Sequence, residues 1–323
     1  MKIKSKALAA MATMAAAALV LAGCTSSTND GGSSSSSSSS TAATFNAAVS
    51  KVVNPSTKQG GTINLLAATD CDSWDPARTY YGWCWNMQRL ITRSLIGYST
   101  VNGSTPVLKP DLATSMGTHN ADFTKWTYTL QKGLKWSDGS AITPKDVKYG
   151  IERLFATDVI NGGPSSYFIS TIKHPKNYLG PYKSGDLNTI TTTSDSITFN
   201  LSTSYSDFNY LMAMAAASPV PYKTEGGKGY TGANYTKKPM ASGPFMIKSY
   251  TPTKSVEFVR NPYWKQSTDK IRTPHASKIN LTIDSDVNDI DSKLKAGTAD
   301  AKADNSIGTV SYTHLTLPTK RIV

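Results

Sequence analysis

Between residues 125 and 155 the apolar pattern changes once, from a repeat of two to a helical repeat, and this change restricts the fold more than any other feature. Trp126, Tyr128 and Leu130 alternate on one face of a strand, and Leu134 and Trp136 on one face of the next. Ser137-Asp138-Gly139 follows as a turn. Thr143 is then a natural N-cap, Pro144 suits the first helical position, and Asp146 favours the positive end of the helix that it helps to start. Val147, Ile151, Leu154 and Phe155 recur at helical spacing, so the predicted helix packs one face on the hairpin. A strand pair running into an amphipathic helix calls for an α/β fold, in which each apolar face is covered by another layer.

The same alternation recurs along the body. Thr62-Ile63-Asn64-Leu65-Leu66-Ala67 reads as a strand entered from Gly60-Gly61, broken at Asp75-Pro76. Residues 87–96 place Leu90, Ile91, Leu95 and Ile96 at helical spacing and end near Gly97. A hairpin is predicted where residues 190–193 meet 197–201 across Ser194-Asp195-Ser196, then an almost uncharged helix over 208–217. Residues 243–247, 256–259 and 279–283 read as strands, and 287–294 as a helix closed by Lys295-Ala296-Gly297. A chain of 323 residues, 39% hydrophobic and 17% charged, has room for roughly two domains and enough apolar surface to bury a core.

The first fifty residues stand apart. Lys2, Lys4 and Lys6 precede an Ala-rich apolar stretch over residues 7–20, too short to span a bilayer, and Leu21-Ala22-Gly23-Cys24 closes it like a bacterial lipobox. The resemblance implies cleavage before Cys24 and a lipid on its sulfur; an ordinary secretory signal with a chance cysteine is the alternative. Residues 25–40, with eight consecutive serines from Ser33, have nothing to bury and read as a flexible tether. Export fits the remaining two cysteines: in an oxidising compartment Cys71 and Cys84 are expected to form a disulfide, which would contribute about 3 kcal/mol by closing a 14-residue loop. A metal or catalytic thiol is the competing use, but no CxxC occurs and the four histidines are isolated.

Several function classes drop out. The net charge is +12, from 34 basic and 22 acidic residues, yet Lys2, Lys4, Lys6, Lys320 and Arg321 lie at the ends. The 29 remaining bases form no run of four, which argues against a nucleic-acid surface. Gly227, Gly229 and Gly232 match a dinucleotide fingerprint without a strand-to-helix junction around them. Asp284, Asp286 and Asn288 open like a calcium loop, but Asp289 and Lys295 replace the required Gly and Glu, and Asp286 is better placed as a helix cap. No histidine stands in a context that would activate a nucleophile, so no enzyme, metal or cofactor is expected.

Four stretches together resemble the extracytoplasmic solute-binding proteins of peptide-type ABC importers, solute-binding family 5. They are Ser73-Trp74-Asp75-Pro76; Pro110-Asp111-Leu112-Ala113 through Trp126-Thr127-Tyr128-Thr129-Leu130; Gly133-Leu134-Lys135-Trp136-Ser137-Asp138-Gly139 with Thr143-Pro144-Lys145-Asp146-Val147; and Ser242-Gly243-Pro244-Phe245 with Asn261-Pro262-Tyr263-Trp264. The resemblance covers residues 60–300 and implies a periplasmic-binding-protein-like, type II α/β architecture of two lobes. Such proteins are about half as long again, so the second lobe is expected to be mostly missing. Residues 310–315 can be written in codons as a transposon end of the kind used in sequencing adapters, and native sequence is expected to stop near Thr309; a real, short basic tail is the alternative. The expected organisation is a signal peptide (1–23), an anchored tether (24–54), a first lobe in two parts (55–108 and 190–270), an inserted hairpin-helix subdomain (109–189), the start of the second lobe (271–309) and a non-native tail (310–323).

Binding proteins of this class close two lobes over a ligand, and the loop over residues 70–85 follows a strand's carboxyl end, where open α/β sheets bind ligands. Tyr80, Tyr81, Trp83 and Trp85 bring four rings together there, and rings supply contact area without demanding one partner. Asp70 is a candidate partner for a ligand amine, and Ser242 and Gly243, at an expected lobe crossing, are candidate contacts. The resemblance implies a monomer, tethered by lipid to the outer face of the cell membrane, or in the periplasmic space where the host has an outer membrane. It would deliver peptides or similar solutes to an ABC permease and its ATPase subunits. A sensor or adhesion lipoprotein reusing the fold and a secreted hydrolase are the alternatives.

Overall fold

A computed structural model of the chain describes residues 57–99, 105–222, 235 and 239–306. The segments expected to be a signal peptide and a serine tether, Cys24, the Gly227-to-Gly232 motif and residues 310–323 lie outside the described residues. The strands are β1 (Thr62–Ala67), β2 (Ile96–Ser99), β3 (Val107–Pro110), β4 (Thr118–His119), β5 (Lys125–Thr129), β6 (Ile190–Thr192), β7 (Ser196–Asn200), β8 (Phe245–Thr251), β9 (Ser255–Arg260), β10 (Lys278–Ile283) and β11 (Ala301–Lys302). The helices are α1 (Gly82–Ile91), α2 (Pro144–Arg153), α3 (Ser165–Thr171), α4 (Pro181–Ser184), α5 (Phe208–Leu211) and α6 (Val287–Lys295).

Two sheets carry the cores. The first is five-stranded, in the order β11-β1-β10-β9-β8, with β1 parallel to both β10 and β11 and the rest antiparallel. Gly60 and Gly61, at φ 106° and 75°, turn the chain into β1, a conformation that a side chain would resist. Phe245, Ile247, Val256, Phe258, Ile279 and Leu281 pack on Ile91 of α1 and on Trp74, whose ring meets Phe258 edge-on at 5.4 Å. The second sheet is antiparallel, in the order β4-β5-β7-β6. Trp126 lies opposite Phe199 and Tyr128 opposite Ile197, and Val147, Ile151 and Leu154 of α2 join them in one core.

The cap predicted for α2 is present: the Thr143 N–H donates to Asp146 Oδ2 at 2.6 Å, and the Thr143 hydroxyl donates to the same oxygen at 2.8 Å. Asp286 caps α6 in turn, accepting from the N–H groups of Asn288 and Asp289. The β6–β7 hairpin also forms as read.

Other expectations are corrected. The helix read at 87–96 begins at Gly82 and ends at Ile91, and Leu95 and Ile96 are buried in a turn and in β2 instead, because apolar residues leading into a buried strand mimic a helical stripe. Leu134 and Trp136 are buried but form no second strand; only Lys135 and Ala141 bridge, and β5 finds its partner in the distant β7. The helix over 208–217 is broken into α5 and a 3₁₀ turn at Ala215–Ala217. Helix α2 is buried on nearly all sides rather than on one face. The boundary at 189/190 cuts through the second sheet, since β6 and β7 belong with β5. Residues 278–302 do not open a separate lobe: β10 lies inside the first sheet, between β1 and β9. Among the described residues no helix is long and apolar enough to cross a membrane.

Candidate functional site

The segment leaving β1 is folded by its own side chains. Asp72 accepts from the Thr79 hydroxyl and the Tyr80 N–H, both at 2.6 Å, and Asp75 accepts from the Ala77 N–H at 3.0 Å. Cys71 and Cys84 are bonded, with Cα atoms 5.6 Å apart, which ties the start of this loop to the first turn of α1. Asp75 and Arg153 form a fully buried bidentate pair at 2.6 and 3.2 Å, so the loop is also fixed to α2.

This framework presents a cleft of about 660 Å³ walled by tyrosines from four segments: Tyr80 on the loop, Tyr98 on β2, Tyr167 on α3, and Tyr205 and Tyr210 around α5. Trp85 of α1 stands edge-on to Tyr80 at 5.6 Å, and its indole N–H donates to the Thr79 carbonyl at 3.0 Å. The hydroxyls of Tyr80 and Tyr167 meet at 2.9 Å, which pushes the Tyr80 phenol up. Burial first, and Tyr210 second, push up Tyr98. These phenols stay neutral near pH 7 and act as apolar faces with hydroxyl edges. Tyr80, Tyr167 and Tyr210 are 48–54% exposed, so their rings face the open side of the cleft.

Of the residues singled out in the sequence, Tyr80 and Trp85 line this cleft. Tyr81 is exposed and precedes α1, and Trp83 packs on the first core. Asp70 faces elsewhere: Oδ2 accepts from the Tyr250 hydroxyl at 2.7 Å and the Thr253 N–H at 2.8 Å, and Oδ1 from the Cys71 N–H, so it braces the β8–β9 turn rather than a ligand amine. The Ser242 hydroxyl accepts from the buried Arg93 N–H at 2.9 Å. Gly243 lies against α1, where a Cβ would come within 2.6 Å of the Leu90 carbonyl. Both therefore serve the join between α1 and β8. Tyr98, Tyr167, Tyr205 and Tyr210 were not singled out, because scattered tyrosines carry no motif. A weak signal was available in Tyr167, which falls off the buried position of its short helix next to Phe168.

Among the described residues no group of His, Cys, Asp or Glu is arranged to hold a metal ion. The cleft offers rings, hydroxyls and backbone, groups that give contact area and hydrogen bonds.

Comparison with known proteins places the fold and the family. The solved structure of the clavulanic acid biosynthesis oligopeptide binding protein 2 superposes with a TM-score of 0.77 at 38% identity, over 83% of this chain and 48% of that one. Listeria monocytogenes OppA bound to peptide shares the fold at a TM-score of 0.61 and 21% identity, over 76% of this chain and 46% of that one. Among curated proteins, the probable D,D-dipeptide-binding periplasmic protein DdpA of Escherichia coli (strain K12) is 29% identical over 205 residues, 61% of this chain and 35% of that protein. The oligopeptide-binding protein SarA of Streptococcus gordonii is 29% identical over 59% of this chain and 29% of its own length. The chain thus spans about a third of these curated relatives and about half of the solved chains. The architecture is that of the type II peptide-binding periplasmic proteins. A family model described as bacterial extracellular solute-binding proteins, family 5 Middle, matches residues 107–316, about two thirds of the sequence, and the chain belongs to that family.

Proposed function

We propose that this chain is the substrate-binding component of an ABC importer, capturing a peptide or similar small solute outside the membrane. It passes the solute to a permease driven by ATPase subunits and does no chemistry on it. The tyrosine cleft is the observation that carries the reading, because its walls come from four separated segments yet enclose one open, uncharged volume. Stacking and edge contacts on such rings hold varied side chains, and closure of a second surface over the ligand would remove both from water. The names of its relatives, an oligopeptide-binding and a dipeptide-binding protein, support the same ligand class. Lipid on Cys24 would hold the monomer at the outer face of the cell membrane, and the tether over 25–40 would let it reach the permease.

Titrating the full chain with short peptides that lack tryptophan, and following its indole fluorescence, tests the binding reading. Saturable binding is expected, weakened about tenfold or more in Tyr98→Ala/Tyr210→Ala. A folded protein that ignores every peptide, or peptide cleavage seen by mass spectrometry, would overturn it. Anchoring is checked separately: Cys24→Ser should release the protein from the membrane fraction of an expressing bacterium.

A further inference from the structure

The apolar face of the first sheet extends past the helix that covers it. Ile63 and Leu65 lie on one face of β1, and Ile279 and Leu281 stand opposite them in β10. Leu65 and Leu281 share a core with Met87 and Ile91 of α1. Ile63, at the start of its strand, is left 39% exposed. It borders a groove of about 470 Å³ whose other apolar walls are Leu90, Pro244, Phe245, Ala276 and Ile279. The groove lies where β1, β8 and β10 begin, at the other end of β1 from the loop that carries Tyr80.

The chain itself arrives beside this groove. The Gly60 N–H donates to the His275 carbonyl at 2.9 Å, Gln59 Nε2 lies 2.8 Å from His275 Nδ1, and the Ser277 N–H donates to the Gly61 carbonyl at 3.0 Å. Residues 59–61 thus run along 275–277, and His275 and Ala276 line the groove. Asn54 stands five positions before Gln59, a reach of at most about 18 Å. The sequence that immediately precedes the described body is therefore held near the groove at high effective concentration.

That sequence has the apolar side the groove calls for. Between 46 and 54, Ala48, Val49, Val52 and Val53 fall on one side at helical spacing, while Asn46, Ser50, Lys51 and Asn54 fall on the other. Asn54-Pro55 ends the pattern, because the residue before a proline is disfavoured in a helix. A helix this short, with three β-branched residues, is marginal in water and draws its stability from an apolar surface to pack on. Lys51 is the sole charge of the segment, and the groove's own charges are the cations Arg89 and Arg272, which suits an occupant that turns its charge to water.

We propose that the groove is the docking site for residues 46–54 of this same chain, whose Ala48, Val49, Val52 and Val53 cover Ile63 and Leu90. The body is then held by a fixed contact at one end of the first sheet, and the free tether stops before residue 46. This docking is independent of what the tyrosine cleft binds.

Hydrogen exchange on the full chain tests it, with the synthetic peptide of residues 46–54 as the unprotected reference. Amides of residues 48–53 are expected to exchange at least about tenfold more slowly in the chain than in the peptide. Ile63→Asp and Val52→Asp should each return them to the peptide's rate, with thermal melts within a few degrees of wild type. Carbene footprinting reads the same contact from the side of the groove: labelling of Ile63 and Leu90 should rise several-fold in Val52→Asp, a change outside both described cores. Exchange at the peptide's rate in the wild-type chain would overturn the proposal, as would footprints of Ile63 and Leu90 that Val52→Asp leaves unchanged. Protection that disappears on strong dilution would assign the groove to a second copy's segment and overturn docking within one chain.

Discussion

Glu152 shows how one residue's surroundings set its chemistry. It lies on the buried side of α2, 4% exposed, and burial pushes its carboxyl up to about 7, against the opposing pull of the Leu187 N–H at 2.7 Å and of Lys148. A carboxyl with a raised folded-state value binds more protons folded than unfolded, so its contribution is present at low pH and is lost as pH rises from about 4.5 to about 7. Stability should therefore fall across that window, by on the order of 3 kcal/mol from this group alone. Glu152→Gln keeps an acceptor for the Leu187 N–H, and denaturant unfolding at pH 5 and pH 7.5 should show most of the difference gone. A slope unchanged in the variant would assign the pH dependence to other groups. Asp70 carries the opposite lesson: it is a carboxylate near the expected ligand loop, but the Tyr250 hydroxyl and the Thr253 N–H already hold it.

At the level of elements, the join between α1 and β8 is the tightest constraint around the cleft. The Ser242 and Gly243 N–H groups both donate to the Ile91 carbonyl, at 3.0 and 2.9 Å, and so satisfy the end of α1. The Gly243 carbonyl accepts from the Asn261 side chain at 2.9 Å. A Cβ at 243 would sit 2.6 Å from the Leu90 carbonyl and 3.0 Å from the Ile91 carbonyl carbon, backbone atoms that cannot swing away. Gly243→Ala is expected to cost about 1–3 kcal/mol or more, visible as a lowered midpoint in urea, and to loosen peptide binding by displacing Trp85 on the same helix. Wild-type stability in this variant would show that β8 can retreat from α1 at little cost. The family stretch Ser242-Gly243-Pro244-Phe245 thus reflects packing of a strand entry on a helix end.

For the molecule as a whole, two cores built on two sheets are bridged by the segment that leaves β1: Trp74 packs in one core and Ala77 in the other. Between them, Asp75 and Arg153 form a pair with no exposed side-chain surface, and the Arg153 guanidinium lies over the Tyr235 ring at 5.2 Å. Removing one partner leaves a buried charge uncompensated, so Asp75→Ala should lose about 3–5 kcal/mol. The double change Asp75→Leu/Arg153→Met should recover much of it, since apolar side chains can replace a buried pair. Equal stability of the single and double variants would mean that the pair's charges are not what joins the two cores. The cleft lies beside this bridge, and loss of the bridge should weaken peptide binding together with stability.

Elements fixed by neighbours in sequence were legible. The Thr143, Pro144 and Asp146 cap, the Asp286 cap and the β6–β7 hairpin all depend on contacts a few residues apart, and each stands where its residues indicate. The alternation of Trp126 and Tyr128 likewise identified a buried strand face, though not its partner. Only the tertiary structure decided what depends on distant pairing. That β10 joins β1 across 216 residues, that Asp70 turns to β8, and that Tyr98, Tyr167 and Tyr210 wall one cleft all follow from pairings between segments distant in sequence. Local period reports which face of an element is apolar; it carries no information on which other face will cover it, and a binding cleft is made of the faces left uncovered.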